Sequence, residues 1–124
     1  LNLDINRFYG SIYTHSIPWA ALGKETAKQL YKSKGLSTHW SDKLDNLVRN
    51  CNQKQTVGIP IGPDTSRIIS ELLLSRIDHE ITSSGGKLGA EQIYHNIDDY
   101  QFGVNDIGKA EAAETKFARS LARY

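Results

Sequence analysis

Hydrophobic and polar residues alternate near both ends of the 124-residue sequence. Over residues 1–6, Leu and Ile at the odd positions alternate with Asn and Asp at the even ones. A second alternation runs from Ile93 to Val104 and is interrupted by Asp98 and Asp99. Period-two alternation is typical of a strand with one buried face. The pattern therefore predicts a strand over residues 1–6 and a β-hairpin whose tip is the Asp98-Asp99 pair.

Between these strands, apolar residues recur at steps of three and four, which is the helical period. Pro18 is expected to interrupt the first helix, Gly35 to end the second, and Ser37 or Ser41 to cap the third. The predicted helices cover residues 8–22, 24–33, 40–51, 64–81 and 108–124.

Residues 56–63 (TVGIPIGP) contain two glycines and two prolines. This composition excludes a regular helix or a central strand and predicts a shaped loop whose backbone approaches some other group closely. A second loop is predicted at residues 83–86. The resulting order of elements predicts an α+β fold, in which a small antiparallel sheet of about three strands carries helices on one face.

Composition narrows the possible functions. The formal net charge is +1, so bulk charge offers no argument for nucleic-acid binding. The single cysteine, Cys51, excludes an intrachain disulfide and is expected to be buried in its helix. No apolar run approaches a membrane span, so we expect a cytoplasmic protein without a membrane partner. The absence of methionine leads us to expect an excerpt of a longer protein.

The predicted open face of the sheet carries the candidate chemistry. Asp4 points away from Leu3 and Ile5, and Asp98 points away from Ile97, so both carboxylates are expected on the face that no helix covers. Converging carboxylates repel one another, and a bound divalent cation removes that penalty. Mg²⁺ binds one or two protein carboxylates together with water and phosphate oxygens. Two such ions form the clamp that is used in phosphoryl transfer.

Three segments resemble, in order along the chain, the palm motifs of reverse transcriptases. They are residues 4–12 (DINRFYGSI), 58–66 (GIPIGPDTS) and 97–100 (IDDY). The sequence of residues 11–19 (SIYTHSIPW) is most similar to bacterial reverse transcriptases of the abortive-infection, phage-defence type. The resemblance implies that residues 1–124 are a ferredoxin-like polymerase palm, without the fingers and thumb subdomains of the same full-length chain.

The resemblance also implies the roles of individual residues at the metal site. Asp4 and Asp98 would be the metal-binding, catalytic carboxylates, and Asp99 would assist them. The backbone carbonyl of Ile5 would complete one metal site. The expected cofactor is Mg²⁺, for which Mn²⁺ can substitute.

The nucleotide contacts implied by the resemblance lie on Tyr9, Pro60 and Gly62. Tyr9 would lie beneath the sugar and exclude a 2′-hydroxyl, although an ordinary core aromatic is the alternative interpretation. Pro60 and Gly62 would shape the loop under the incoming base and template. The chain departs from the family at Ile61, where many members carry Gln, and at Asn96, where they usually carry an aromatic residue.

The expected function is therefore that of an RNA-directed DNA polymerase, acting on an RNA or DNA template-primer and deoxynucleoside triphosphates. This 124-residue piece alone is not expected to polymerise efficiently. One alternative is a non-catalytic palm or an RNA-recognition-type module, which requires exposed aromatic residues on central strands. The exposed strand positions predicted here are instead polar or acidic. A further alternative is an untemplated nucleotidyl transferase.

Basic residues and histidines allow two interpretations each. Lys24, Lys28, Lys32 and Lys34 are compatible with a phosphate backbone, but a solvated helix face is the simpler interpretation. The four histidines have no metal-ligand spacing and are expected in surface or core roles.

Overall fold

The structure is a computed structural model that describes residues 1–83 and 92–124. It confirms the α+β class. Within the described residues the chain forms one three-stranded antiparallel sheet and six α-helices. The strands are β1 (Asn2–Asp4), β2 (Gln92–Asn96) and β3 (Asp99–Gly103). The helices are α1 (Phe8–Ser11), α2 (Ser16–Leu22), α3 (Lys24–Lys32), α4 (Trp40–Cys51), α5 (Asp64–Ser83) and α6 (Ile107–Leu121).

The described residues divide into two compact units. The sheet unit contains residues 1–8 and 74–123, and the helical unit contains residues 9–73 together with Tyr124.

In the sheet unit, β3 lies between β1 and β2. Leu3 and His95 both lie opposite Tyr100, so these three side chains share a face. Tyr100 and Phe102 are buried on that face. The residues of the other face are all exposed: Asn2, Asp4, Gln92, Tyr94, Asn96, Asp99, Gln101 and Gly103.

Helices α6 and α5 supply the cover of the buried face. The Phe117 ring of α6 lies 4.4 Å from the Tyr100 ring and 5.5 Å from the Phe102 ring, centroid to centroid. The Tyr100 hydroxyl donates a hydrogen bond of 2.8 Å to Asp78 Oδ1 of α5, and His95 Nδ1 lies 3.1 Å from Asp78 Oδ2. The expectation that helices cover one face of the sheet is therefore confirmed.

The tip of the hairpin differs from the prediction by one residue. Asn96 and Asp99 form the last pair of the β2–β3 ladder, so the turn consists of Ile97 and Asp98. Ile97 adopts a φ of 57°, which is unfavourable for a β-branched residue. The prediction was wrong because turn preference favoured the two aspartates, whereas the pairing of Tyr100 with His95 fixes the register.

The first predicted helix is divided before Pro18, in the helical unit. α1 ends at Ser11 and α2 begins at Ser16, and between them Tyr13 forms an antiparallel bridge with Val57. Pro18 lies in the first turn of α2, where its missing N–H has no helical partner to lose. Pro18 therefore lies at the start of α2 and does not cause the break between α1 and α2.

Three further details of the helical unit differ from the predicted helix ends and burial. After α3, Lys34 has the positive φ of 60°, whereas Gly35 has a φ of −79°. The cap of α4 is His39, whose Nδ1 accepts a hydrogen bond of 3.3 Å from Ser41 N. Cys51 is exposed rather than buried, because it ends α4 on a side away from the buried Ser41 and Asp45.

The glycine- and proline-rich loop has the close backbone approach that its composition predicts. Gly58 has a φ of 88°, and its N–H donates 2.8 Å to the carbonyl of Ile12. A Cβ at Gly58 would lie 3.3 Å from the carbonyl oxygen of Gly10. Glycine is therefore favoured at position 58 by both conformation and space.

The two last helices begin near the predicted positions. α5 starts at Asp64, and α6 starts after Asp106, whose side chain accepts 2.8 Å from Lys109 N. Ser83 is the last residue of α5, and the rest of the loop predicted at 83–86 lies outside the described residues. Across residues 1–83 and 92–124, no helix has the length and apolar character needed to cross a membrane.

Candidate metal and nucleotide site

One end of the sheet brings four of the predicted site residues together. Asp4 is the last residue of β1 and lies directly opposite Asp99, the first residue of β3. The N–H of Ile5 donates a hydrogen bond of 3.1 Å to the backbone carbonyl of Asp98. Asp4 and Asp99 are exposed, and Asp98 is partly buried in the turn. The strand register thus joins the beginning of the chain to the hairpin.

Asp4 lies on the open face as expected, but the aspartate that shares this face with it differs from the expectation. Because the turn is formed by Ile97 and Asp98, it is Asp99 that shares the open face with Asp4. Asp98 belongs to neither strand and adjoins β1 through its backbone. The hairpin tip was predicted one residue too late, so the aspartate paired with Asp4 is Asp99, and Asp98 lies in the turn.

The electrostatics of this end of the sheet are unbalanced. Like charges directly opposite each other on neighbouring strands are destabilising, and Asp4 and Asp99 are such a pair. Within the part of the chain that the structure describes, the side chains of Asp4, Asp98 and Asp99 make no hydrogen bond or ion pair. Their carboxylate oxygens therefore remain available to a cation or to water.

The donor set suits Mg²⁺ bound through few protein ligands. Among residues 1–83 and 92–124, no group of three His, Cys, Asp or Glu side chains is arranged to hold a metal ion. Mg²⁺ does not need such a cage, since it commonly takes one or two carboxylates and keeps water and substrate phosphates. The pair on β1 and β3 fits that mode, with Asp98 beside it.

The predicted nucleotide-contact residues are grouped in the helical unit. The N–H of Ile59 donates 2.9 Å to the carbonyl of Tyr9, so the loop that carries Pro60 is attached to α1. Pro60 and Gly62 are exposed, and Gly62 has a φ of 112°. The Tyr9 side chain is partly buried. Pro60 therefore directly follows Ile59, whose N–H is hydrogen-bonded to Tyr9.

Sequence reasoning missed a buried carboxylate in the helical unit. Asp45 of α4 is fully buried, with His15 Nδ1 2.6 Å from its Oδ2 and Arg49 Nε donating 3.1 Å to its Oδ1. The spacing of Asp45 and Arg49, four residues apart on a helix, was the available signal. No sequence signal connected His15 to them.

Sequence reasoning also missed the aromatic residue on the open face of the sheet. Tyr94 is 64% exposed and lies opposite Gln101 of the central strand β3. Its position follows from the alternation of β2, in which Ile93 and His95 face the core. The open face is therefore polar and acidic with one exposed ring, rather than entirely polar.

Comparison of the sequence with models of known protein families finds no match, and comparison with curated proteins finds none either.

Proposed function

We propose that this chain is the palm region of an RNA-directed DNA polymerase, of the bacterial abortive-infection type that its motifs resemble. The proposed reaction is nucleotidyl transfer from a deoxynucleoside triphosphate to the primer end on an RNA or DNA template. The proposal includes a cytoplasmic location and fingers and thumb subdomains elsewhere in the full-length chain.

The observation that carries the proposal is the pairing of Asp4 with Asp99 next to the Asp98 turn. Two motifs that lie at opposite ends of the sequence meet at one end of one sheet. Their carboxylates have no partner among the described residues. An acidic, unpaired group at this place repels phosphates unless a cation is bound.

Asp4 and Asp99, which share the open face, would hold Mg²⁺ or Mn²⁺ together with Asp98 and the carbonyl of Ile5. When bound, the ions would supply activation of the attacking oxygen and stabilisation of the leaving oxygen. The residues themselves contribute fixed positions, because the β1–β3 ladder and the bond from Ile5 to Asp98 hold the ligands on one rigid element.

The loop at Pro60 and Gly62 supports the proposed binding of nucleotide and template. Gly58 and Ile59 hydrogen-bond to the backbone around α1, which fixes the loop while Pro60 and Gly62 stay exposed. An exposed loop whose attachment to the rest of the unit is fixed is suited to lie against a nucleotide base pair. Tyr9, on the same backbone contact, is the proposed residue for sugar selection.

The metal site is tested first with the 124-residue chain. Mn²⁺ is added while amide NMR signals around Asp4 and Asp98 are recorded, in the original sequence and in Asp4→Asn. The matched control is Asp106→Asn, an exposed aspartate of the same unit. We expect parallel broadening at both positions, its loss in Asp4→Asn, and its retention in Asp106→Asn.

Two results would contradict the metal site. Broadening at Asp4 that leaves Asp98 unchanged would mean that the two carboxylates do not share an ion. Equal broadening in Asp4→Asn and in the original sequence would mean that Mn²⁺ binds elsewhere.

Polymerisation is tested in the full-length protein. Asp4→Asn and Asp98→Asn should each abolish primer extension, whereas Asp106→Asn should not. Tyr9→Ala should allow ribonucleotides to be incorporated, since the ring that excludes the 2′-hydroxyl would be gone. Extension without a template would favour the untemplated nucleotidyl transferase, and unchanged sugar selection in Tyr9→Ala would remove Tyr9 from the site.

One observation favours a second candidate, an RNA-binding sheet without chemistry. Exposed aromatic residues on an open sheet stack on single-stranded bases, and Tyr94 is such a residue. It lies on the edge strand β2 rather than on the central strand. Metal-independent binding of single-stranded RNA that is lost in Tyr94→Ala, without any primer extension in the full-length protein, would favour this candidate.

A further inference from the structure

The helical unit contains a cavity of about 510 Å³ whose walls combine aromatic rings with basic groups. It is lined by residues of α2, α3 and α4, of the segment before α2 and of the segment between α3 and α4. The aromatic lining residues are Tyr13, Trp19 and Tyr31, and the lysines are Lys28 and Lys32. The volume lies within the range of about 300–1,000 Å³ that is usual for small-molecule sites. We name this cavity the α3 pocket.

The charge of the α3 pocket favours an anion. Arg49 in its wall is paired with the buried Asp45, so its charge is already offset. Lys28 and Lys32 remain against the single acidic lining residue Asp42. Neither lysine makes an ion pair or hydrogen bond within the described residues. The uncompensated positive charge is therefore located on α3.

The arrangement of α3 makes these groups act together. Residues 24, 28 and 32 are spaced by four, so their three lysines follow one face of the helix, and Tyr31 lies beside the last of them. Like charges at this spacing repel one another. Helix α3 therefore carries a repulsion that an anion bound between the lysines would relieve.

One aromatic residue of the lining, Tyr31, is accessible to a flat ligand. Tyr31 is 74% exposed, so one face of its ring is free for stacking. The Tyr13 and Trp19 rings lie 5.5 Å apart, centroid to centroid, and form a continuous apolar wall. Lys24 Nζ lies 4.2 Å from the Trp19 ring centroid and covers one face of that ring, so a base would meet its other face or its edge.

We propose that the α3 pocket binds a nucleotide, with its phosphate between Lys28 and Lys32 and its base on the aromatic wall. The nucleotide is either free or one unit of a single strand, and both sources present the same chemistry. Aromatic rings interleaved with basic side chains are the usual means of holding single-stranded nucleic acid. None of the lining residues belongs to the proposed metal site, so the inference does not depend on that chemistry.

The test uses the 124-residue chain, NMR mapping of binding and isothermal titration calorimetry. The probes are adenosine 5′-monophosphate, adenosine, inorganic phosphate and an oligoadenylate RNA. We expect the monophosphate to shift the Trp19 indole signal and the amides of α3. It should bind about tenfold more tightly than adenosine or phosphate alone, since each of those lacks one half of the recognition.

Variants separate recognition of the phosphate from recognition of the base. Lys28→Gln with Lys32→Gln should weaken the monophosphate about tenfold and reduce the salt dependence of oligoadenylate binding by about one phosphate contact or more. Replacing both lysines by arginine should retain binding. The matched control changes Lys43 and Lys54, exposed lysines of the same unit that do not line the pocket, to glutamine. Tyr31→Leu should weaken the monophosphate but not inorganic phosphate.

Each outcome decides the proposal. Tighter binding of the oligoadenylate than of the monophosphate, with the same α3 signals shifted, supports the pocket and identifies a single strand as the source. Tighter binding of the monophosphate identifies the free nucleotide. Equal binding of phosphate and monophosphate, equal loss in the Lys43 and Lys54 control, or no shift in α3 with any probe would overturn it.

Discussion

The buried carboxylate of α4 gives the sharpest stability prediction. Asp45 is fully buried and has two side-chain partners, His15 at 2.6 Å and Arg49 at 3.1 Å. Asp45→Ala removes both contacts at once. His15→Ala removes only one of them but leaves the Asp45 carboxylate out of water with a single partner.

The magnitude follows from the exposure of the partners. Hydrogen bonds to charged groups contribute about 1.5–3 kcal/mol each, and removing one member of a buried ion pair costs about 3–5 kcal/mol. The side chains of His15 and Arg49 are 33% and 25% exposed, so they regain part of their hydration after Asp45→Ala. We therefore expect Asp45→Ala to lower the free energy of unfolding by about 3 kcal/mol, at the low end of that range. His15→Ala should cost a similar amount, because the buried Asp45 carboxylate keeps only Arg49 as a partner.

Urea unfolding measures both variants. With a slope of about 1–3 kcal/mol per molar urea, a loss of about 3 kcal/mol moves the midpoint by about 1–3 M. Asp42→Ala is the control, since Asp42 lies about one turn earlier on α4, is only partly buried, and should cost less than about 1 kcal/mol. If Asp45→Ala cost no more than Asp42→Ala, the buried network would not stabilise the helical unit.

Three further predictions concern single positions. Phe117→Ala should lower the free energy of unfolding by about 3–5 kcal/mol, since its ring is buried against two rings of β3; a loss below about 1 kcal/mol in urea unfolding would contradict that packing. Gly58→Ala and Gly62→Ala each place a side chain at positive φ, at a cost of about 1–2 kcal/mol. Gly58→Ala should unfold at the lower temperature, because only its Cβ meets a carbonyl, and the reverse order would refute the close approach. Asp99→Asn should raise stability without metal by about 0.2–1 kcal/mol by relieving repulsion from Asp4; Mg²⁺ should then stabilise the original sequence more than the variant in thermal unfolding, and equal stabilisation would argue against a metal at this pair.

The sheet could be predicted from the sequence because its burial follows its alternation. Tyr100 and Phe102 are buried and their neighbours are exposed, as period two requires. The turn was predicted one residue too late. The prediction favoured Asp because Asp is common in turns, whereas Ile is unfavourable at positive φ. Ile97 nevertheless adopts that conformation, because burial of the aromatic residues in β3 outweighs a local preference.

Helix α4 shows where periodicity fails. Its apolar positions predicted an inward face, yet Trp40 and Leu47 are more than half exposed. Its fully buried positions are Ser41 and Asp45. A polar residue can be buried when partners satisfy it, and one of the two partners of Asp45 is His15, 30 positions away in the sequence. Such a pairing leaves no trace in local periodicity.

The two-residue turn at Ile97 and Asp98 also has a consequence for natural variation. Inserting or deleting one residue between His95 and Tyr100 would reverse every side chain of one strand relative to the other. Tyr100 would then point to solvent, and Asp99 would no longer lie opposite Asp4 on the open face. Homologous chains should therefore keep the length of the hairpin constant, and position 97, with its positive φ, should favour Gly or Asn.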